Sequence, residues 1–216
     1  MSGYSVAAIV RCYKITGYLE RVLKNLSDID LIIVANGPYP GVPREEDNTL
    51  EIVRKLKQKN ILVYLHDGKE QKDVFNECLS LLANYDFVLI NDADEFLLRE
   101  DRKNILDKMV DRGVDADVGI CPVIDYSPDG KRYPLRDHMP IVAVRPYVKF
   151  VGNRSVFYGG GVVGHFYLHH FGYALKKDME WKKKNIWYPS ESFDEIVKNP
   201  TESYHKPEEL KKVLNE

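Results

Sequence analysis

The stretch Leu89-Ile90-Asn91-Asp92-Ala93-Asp94-Glu95-Phe96 decides how the rest of the chain is read. The apolar run Phe87 to Ile90 predicts a buried strand, and it ends in three carboxylates within four residues. Carboxylates buried without partners are costly or lose their charge, so such a strand must deliver its acids to the rim of a sheet. In an extended segment Asp92 and Asp94 would point the same way across the small Ala93. Two carboxylate arms on one side form half of a site for a divalent cation and a polar ligand, and hard oxygen donors suit Mg²⁺ or Mn²⁺. The competing reading is an acidic turn that only caps the helix after it.

Three more apolar, β-branched runs precede this one: Tyr4 to Val10, Ile29 to Ala35 and Ile61 to Leu65. Helical spacing separates them. Leu19, Val22, Leu23 and Leu26 form one stripe, Leu50, Val53 and Leu56 a second, and Val74, Phe75, Cys78, Leu79 and Leu82 a third over residues 71–83. Strand and helix alternating in units of roughly 30 residues predict βαβ crossovers and an open, mostly parallel α/β sheet with helices on both faces. Sheets of this kind bind ligands at the carboxyl ends of their strands. Arg11, Asn36-Gly37, His66-Asp67-Gly68 and Asp92-Ala93-Asp94 all follow strands directly, so they should converge on one rim.

The second half reads differently. A charged helix is expected over about residues 101–112, then strands over 117–124, 141–147, 156–158 and 166–169, with a polar turn at 127–130. Gly159-Gly160-Gly161 reads as a flexible connection. A helix over 174–188 should stop at Pro189, and the remainder should hold short helices broken at Pro200 and Pro207. The expected organisation is one catalytic domain over 1–188, with halves 1–98 and 99–188, and a helical tail over 189–216.

Composition narrows the class. The chain has 216 residues, 44% of them apolar, and a formal charge of −2, so nothing provides the basic face that nucleic acid needs. Cys12, Cys78 and Cys121 are scattered and odd in number, which disfavours a disulfide framework or a structural zinc and points to a reducing compartment. No leader-like segment and no apolar stretch of about 18 residues is present, so a cytoplasmic protein is expected.

Three of the six histidines, His165, His169 and His170, fall within six residues. A strand would turn His169 and His170 to opposite faces, so at most one of the pair reaches a site with the acids, and periodicity does not choose between them. An imidazole added to carboxylates favours Mn²⁺ over Ca²⁺. The triple glycine lacks the GK[ST] of a P-loop, and no GxGxxG follows the first strand. The basic, aromatic segment from Lys176 to Trp187 reads first as a solvated helix with Trp181 and Trp187 on its core side. Its sharper reading is a platform for a sugar ring or a diphosphate.

Taken together, VAAIVRCYK, LIIVANG, the helix bearing Asn76, NYDFVLINDADEF and HHFGYALKKDMEWKKKN resemble the inverting glycosyltransferases of the GT-A fold, family 2 in the broad sense. The DADEF stretch is similar to that family's Asp-x-Asp motif, and HHFGY to its His-x-Gly-Tyr. The resemblance implies a GT-A, Rossmann-like fold, a UDP- or GDP-sugar donor, Mn²⁺ or Mg²⁺, and a glycan, lipid-linked or protein acceptor. It implies Arg11 at the nucleobase and ribose, with Asn36 standing where the family often has an Asp. Asp67 and Lys72 would lie near the base or diphosphate. Asp92 would bind the ribose or reach the metal through water, Asp94 would ligate the metal, and His170 would complete the site. For the base that deprotonates the acceptor, the family's acceptor-side motifs are absent; Asp137 is the first candidate and Asp125 the second. Two other readings compete: a non-catalytic nucleotide-sugar-binding module, and a nucleotidyltransferase, which would need a Gly-rich loop where VRCYKITG stands. The Trp181 to Trp187 segment could also touch a membrane surface.

Overall fold

Val6–Cys12 forms β1, flanked on both sides by parallel neighbours, β2 (Leu31–Asn36) and β4 (Phe87–Asp92), while β3 (Ile61–Leu65) lies beyond β2. The computed structural model describes residues 3–111, 116–126, 139–157, 160–171, 174–175, 177, 181 and 208–214. Both faces of β1 are apolar and buried, because a sheet covered on two sides leaves no face for water. On one face, Ala8, Val10, Val34 and Leu89 pack with α1 (Leu19–Asn25) and α4 (Arg99–Val110). On the other, Ala7, Ile9, Ile33 and Ile90 pack against Val74, Phe75, Cys78 and Leu79 of α3 (Gln71–Leu81). The helix α2 (Thr49–Leu56) lies beside α1.

The seven-stranded sheet is mostly parallel, as expected, but not purely so: one strand runs against the other six. Next to β4 runs β8 (Ile141–Val144), antiparallel both to it and to β6 (Val118–Ile120). At the far edge β11 (Gly161–Val163) is parallel to β6, so the last of the three glycines begins a strand. The expected single strand over 117–124 is two strands. Pro122 has no N–H for a ladder, and β7 (Val123–Asp125) leaves for a second sheet in the order β5-β12-β7, with β5 at Glu95–Phe96 and β12 at Leu168–His170. A hairpin, β9 (Lys149–Gly152) and β10 (Ser155–Phe157), completes the strands.

That hairpin is fixed from below. Asn76 on α3 donates Nδ2–H to the Phe150 carbonyl at 3.0 Å and accepts the Phe150 N–H at 2.8 Å, while the tilted rings of Phe75 and Phe150 meet at 4.7 Å. The last described helix, α5 (Glu208–Leu214), follows Pro207 and buries Leu210 and Leu214 in the core shared with α1. All three cysteines are free and buried. Among the described residues no helix is long and apolar enough to cross a membrane. The expected helix over 174–188 and the polar turn at 127–130 lie largely or wholly outside the described residues.

Candidate metal and donor site

The tip of β4 builds the site. The extended geometry ends at Asp92, and Ala93-Asp94 turn before β5, so the side chains do not keep the period-two alternation expected of them. Ala93 N–H instead donates to the Arg11 carbonyl at 2.9 Å. The three acids are thereby sent to three different partners.

Asp92 is in register with Arg11 on β1 and takes its guanidinium in a fork, Nε to Oδ1 and Nη2 to Oδ2, both at 2.9 Å. Arg11 also lies over the Tyr39 ring, 5.1 Å from its centroid. Glu95 turns back toward the strand end. One of its oxygens accepts the Asp92 N–H at 2.7 Å, and both carboxylate oxygens accept from Arg154, at 2.8 Å for Nη1 to Oε1. Arg154 Nη2 stands 3.6 Å from Asp92 as well. Burial works against both guanidinium charges, but the carboxylates, Asp92 beside Arg11 and Glu95 beside Arg154, outweigh it and hold both well above the ordinary arginine value. Arg154 sits in the β9–β10 turn at φ 51, held there by the Asn76 clamp on β9. The sequence gives no sign of this residue: a lone arginine in a Gly-Asn-Arg turn has no spacing relation to residue 95.

Asp94 is 2% exposed and faces the second sheet. Its carbonyl accepts the Phe171 N–H at 2.8 Å, and its Oδ1 is 3.6 Å from His170 Nε2. His170 pairs in register with Asp125 on β7, whose Oδ1 meets its Nδ1 in a short hydrogen bond. His169 points the other way. Its Nδ1 bonds the Tyr126 hydroxyl at 2.9 Å, and burial pushes its pKa down to about 4, so it is a neutral core imidazole. Tyr126 in turn stacks on Phe171 at 4.5 Å.

This arrangement fits a cation. A carboxylate on Nδ1 fixes the tautomer and orientation of a ligating imidazole and leaves Nε2 as the donor atom. Asp94 Oδ1 and His170 Nε2 face each other at a separation beyond a hydrogen bond and within the span of one ion. Among the described residues no group of three or more His, Cys, Asp or Glu side chains is placed to hold an ion unaided. A cation here would take its remaining ligands from substrate oxygens or water.

The other candidates divide. Asn36 is buried, and its amide N–H₂ is shared among the Cys12 carbonyl, Asp47 Oδ2 and Thr49 Oγ1 at 3.0–3.1 Å, tying the ends of β1 and β2 to the start of α2. Asp67 is exposed and 3.6 Å from Arg44. Lys72 lies half-buried in the first turn of α3. Asp137 lies outside the described residues. Trp181 packs against Tyr13 at 5.9 Å and Tyr39 at 6.2 Å, on the Arg11 side of the rim. His66, just after β3, is buried with neither ring nitrogen hydrogen-bonded among the described residues; burial, then Arg44, pushes its pKa down to about 4. Its ring and carbonyl press on Gly37, where an added Cβ would lie 2.2 Å from the His66 oxygen.

Two solved structures share this architecture. S. aureus TarS residues 1-349 gives a TM-score of 0.52 at 16% identity, over 89% of this chain and 69% of that one. The S. aureus TarS crystal structure gives 0.54 at 15% identity, over 89% of this chain and 42% of that one. S. aureus TarS 1-349 in complex with UDP matches at 22% identity and a TM-score of 0.44, over 56% of this chain and 36% of that one. The chain thus spans between about a third and two thirds of the length of these structures. No curated protein sequence matches it. The model of glycosyl transferase family 2 matches residues 9–173, most of the 216-residue chain, and the protein belongs to that family.

Proposed function

We propose that the protein transfers a sugar from a UDP- or GDP-sugar to an acceptor hydroxyl, with inversion, using Mn²⁺ or Mg²⁺ held by Asp94 and His170. Family membership supports the reaction class. The observation that carries the metal assignment is His170 fixed by Asp125 at Nδ1 with Nε2 turned to Asp94. When bound, the cation neutralises the charge that grows on the diphosphate as the glycosidic bond breaks.

The chain's own residues do the rest. Arg11 and Asp92 form the donor side, where Arg11 can meet a phosphate or ribose oxygen while Arg154 keeps a positive charge beside Asp92. We assign Asn36, Asp67 and Lys72 to the donor side, as nearer or more distant contacts to the base and diphosphate. Asp125, engaged with His170, acts as a positioning residue. That leaves Asp137 as the carboxylate proposed to take the acceptor proton. A glycan, lipid-linked or protein acceptor would enter opposite the donor, and the segment after Trp181 could rest on a membrane surface. The catalytic unit is taken as 1–188, with 189–216 as a supporting tail, in the cytoplasm.

Calorimetric titration of UDP and GDP with and without Mn²⁺ tests this reading. Metal-dependent binding of one nucleotide, lost in Asp94→Ala, is expected. Equal binding by both proteins, or none by either, would overturn it. Release of free sugar from the donor separates a transferase from a binding module.

A further inference from the structure

The outer edge of β3 carries a second surface. In the β2–β3 ladder, Ile32 N–H donates to the Asn60 carbonyl at 2.8 Å and His66 N–H donates to the Asn36 carbonyl at 3.1 Å, with Ile32 paired to Ile61 and Asn36 to Leu65. In a parallel ladder this spends the even-numbered backbone groups, 60 to 66, on β2. The N–H and C=O groups of Ile61, Val63 and Leu65 therefore point away from the sheet, and among the described residues no strand pairs with them.

Natural proteins blunt such edges with charges, proline, bulges or a covering segment. The strand Ile61-Leu62-Val63-Tyr64-Leu65 has no charge, glycine or proline, and its register on β2 is unbroken. Leu62 and Leu65 are 54% and 52% exposed, one on each face of the strand.

We infer that this edge pairs with the same edge of a second copy, antiparallel about a twofold axis at Val63. The outward groups fit this register. Val63 faces Val63 of the second copy, and Ile61 faces Leu65 in both directions, giving three mutually bonded pairs with every outward N–H and C=O used. Leu62 then lies beside Tyr64 of the other copy at the close, non-bonded spacing, which covers the exposed leucine. Charge agrees as well. Lys59 precedes the strand and Asp67, 3.6 Å from Arg44 in its own chain, follows it, both exposed, so Lys59 of one copy meets Asp67 of the other. A second copy is favoured over another extended peptide because this one sequence supplies both halves of the register and of the charge match. The two metal sites would open on opposite edges of a sheet continuous through both copies. A single strand pair is small beside the about 1,000 Å² of a stable interface, so the dimer should dissociate on dilution.

Sedimentation velocity over a wide concentration range tests this on the full chain. The wild type is expected to pass from monomer to dimer. Val63→Pro removes only an outward N–H, leaves the bonds to β2 in place and should remain monomeric. Lys59→Glu should weaken the dimer about tenfold, and Lys59→Glu combined with Asp67→Lys should return it to within about threefold of wild type. The charge pair decides the matter if Val63→Pro fails to fold. A wild type that is monomeric throughout, a folded Val63→Pro that dimerises normally, or a double variant no better than Lys59→Glu would overturn the inference.

Discussion

Arg154 and Glu95, far apart in sequence, are held guanidinium to carboxylate beneath the end of β4, each side chain at most 10% exposed. A buried pair of this kind is worth little against an apolar substitute, but removing one partner strands the other charge. Arg154→Ala is therefore expected to destabilise the protein by about 3–5 kcal/mol, and Arg154→Lys by less, because it keeps the charge and loses the fork. Urea unfolding of the two variants beside the wild type measures the difference. Equal stability of all three would mean that Glu95 is satisfied without the hairpin.

Asp94 and Asp125 should fail in different ways. Asp94→Asn removes a proposed ligand and should abolish Mn²⁺ binding in calorimetry. Asp125→Asn still offers an oxygen to His170 but no longer a charge, and should weaken Mn²⁺ affinity by about 10–100-fold. If Asp125 were the acceptor base instead, the Asn variant would bind Mn²⁺ normally and lose turnover at every pH. Comparing metal affinity with the pH profile of kcat separates the two roles.

His66 and His169 give the fold an acid limit. Both are buried, and burial holds both at a pKa of about 4 against an ordinary 6.5. The unfolded chain then binds more protons between those values, so stability is fully present above pH 6.5 and falls as pH drops toward 4. Each histidine can remove at most about 3 kcal/mol across that window. His169→Gln should flatten the fall by up to half, read as the denaturation midpoint at a series of pH values. A slope unchanged by the substitution would place the titrating group elsewhere.

Asn36→Asp should be damaging although it changes a single atom of the side chain. The buried amide of Asn36 donates to a carbonyl, a carboxylate and a hydroxyl. A carboxylate there would face the Cys12 carbonyl and Asp47 with no proton to give, costing about 2–4 kcal/mol. Thermal unfolding, with Asn36→Asp compared with Asn36→Ser, measures it.

The parallel half was readable because its information is local. Continuous apolar runs mark strands buried on both faces, and the stripe at Leu19, Val22 and Leu23 or at Val74, Phe75 and Cys78 fixes which side of each helix packs. The strand-end rule then brings Arg11 and Asp92 together, and the structure joins them directly. The second half resists such reading. β5 and β7 are two and three residues long, too short for a period, and the split at Pro122 sends adjoining residues to different sheets. Adjacent histidines are equivalent to any pattern count. Only the register of β12 turns His170 toward Asp94 and Asp125 and buries His169 on Tyr126. Arg154 depends on a hairpin seated by Asn76, a contact with no local signature.

On the small sheet, Asp125, His170 and Glu95 are neighbours across three strands, with β12 in the middle. This row sets an order of assembly. The β3-β2-β1-β4 layer can form through short-range crossovers using only the first part of the chain, whereas the row cannot exist until β12 inserts between β5 and β7. Loop-closure entropy places such non-local pairings late in folding. A chain emerging during synthesis would thus carry its acids on a formed strand before it could orient an imidazole among them, and chemical competence would be the last property the molecule acquires.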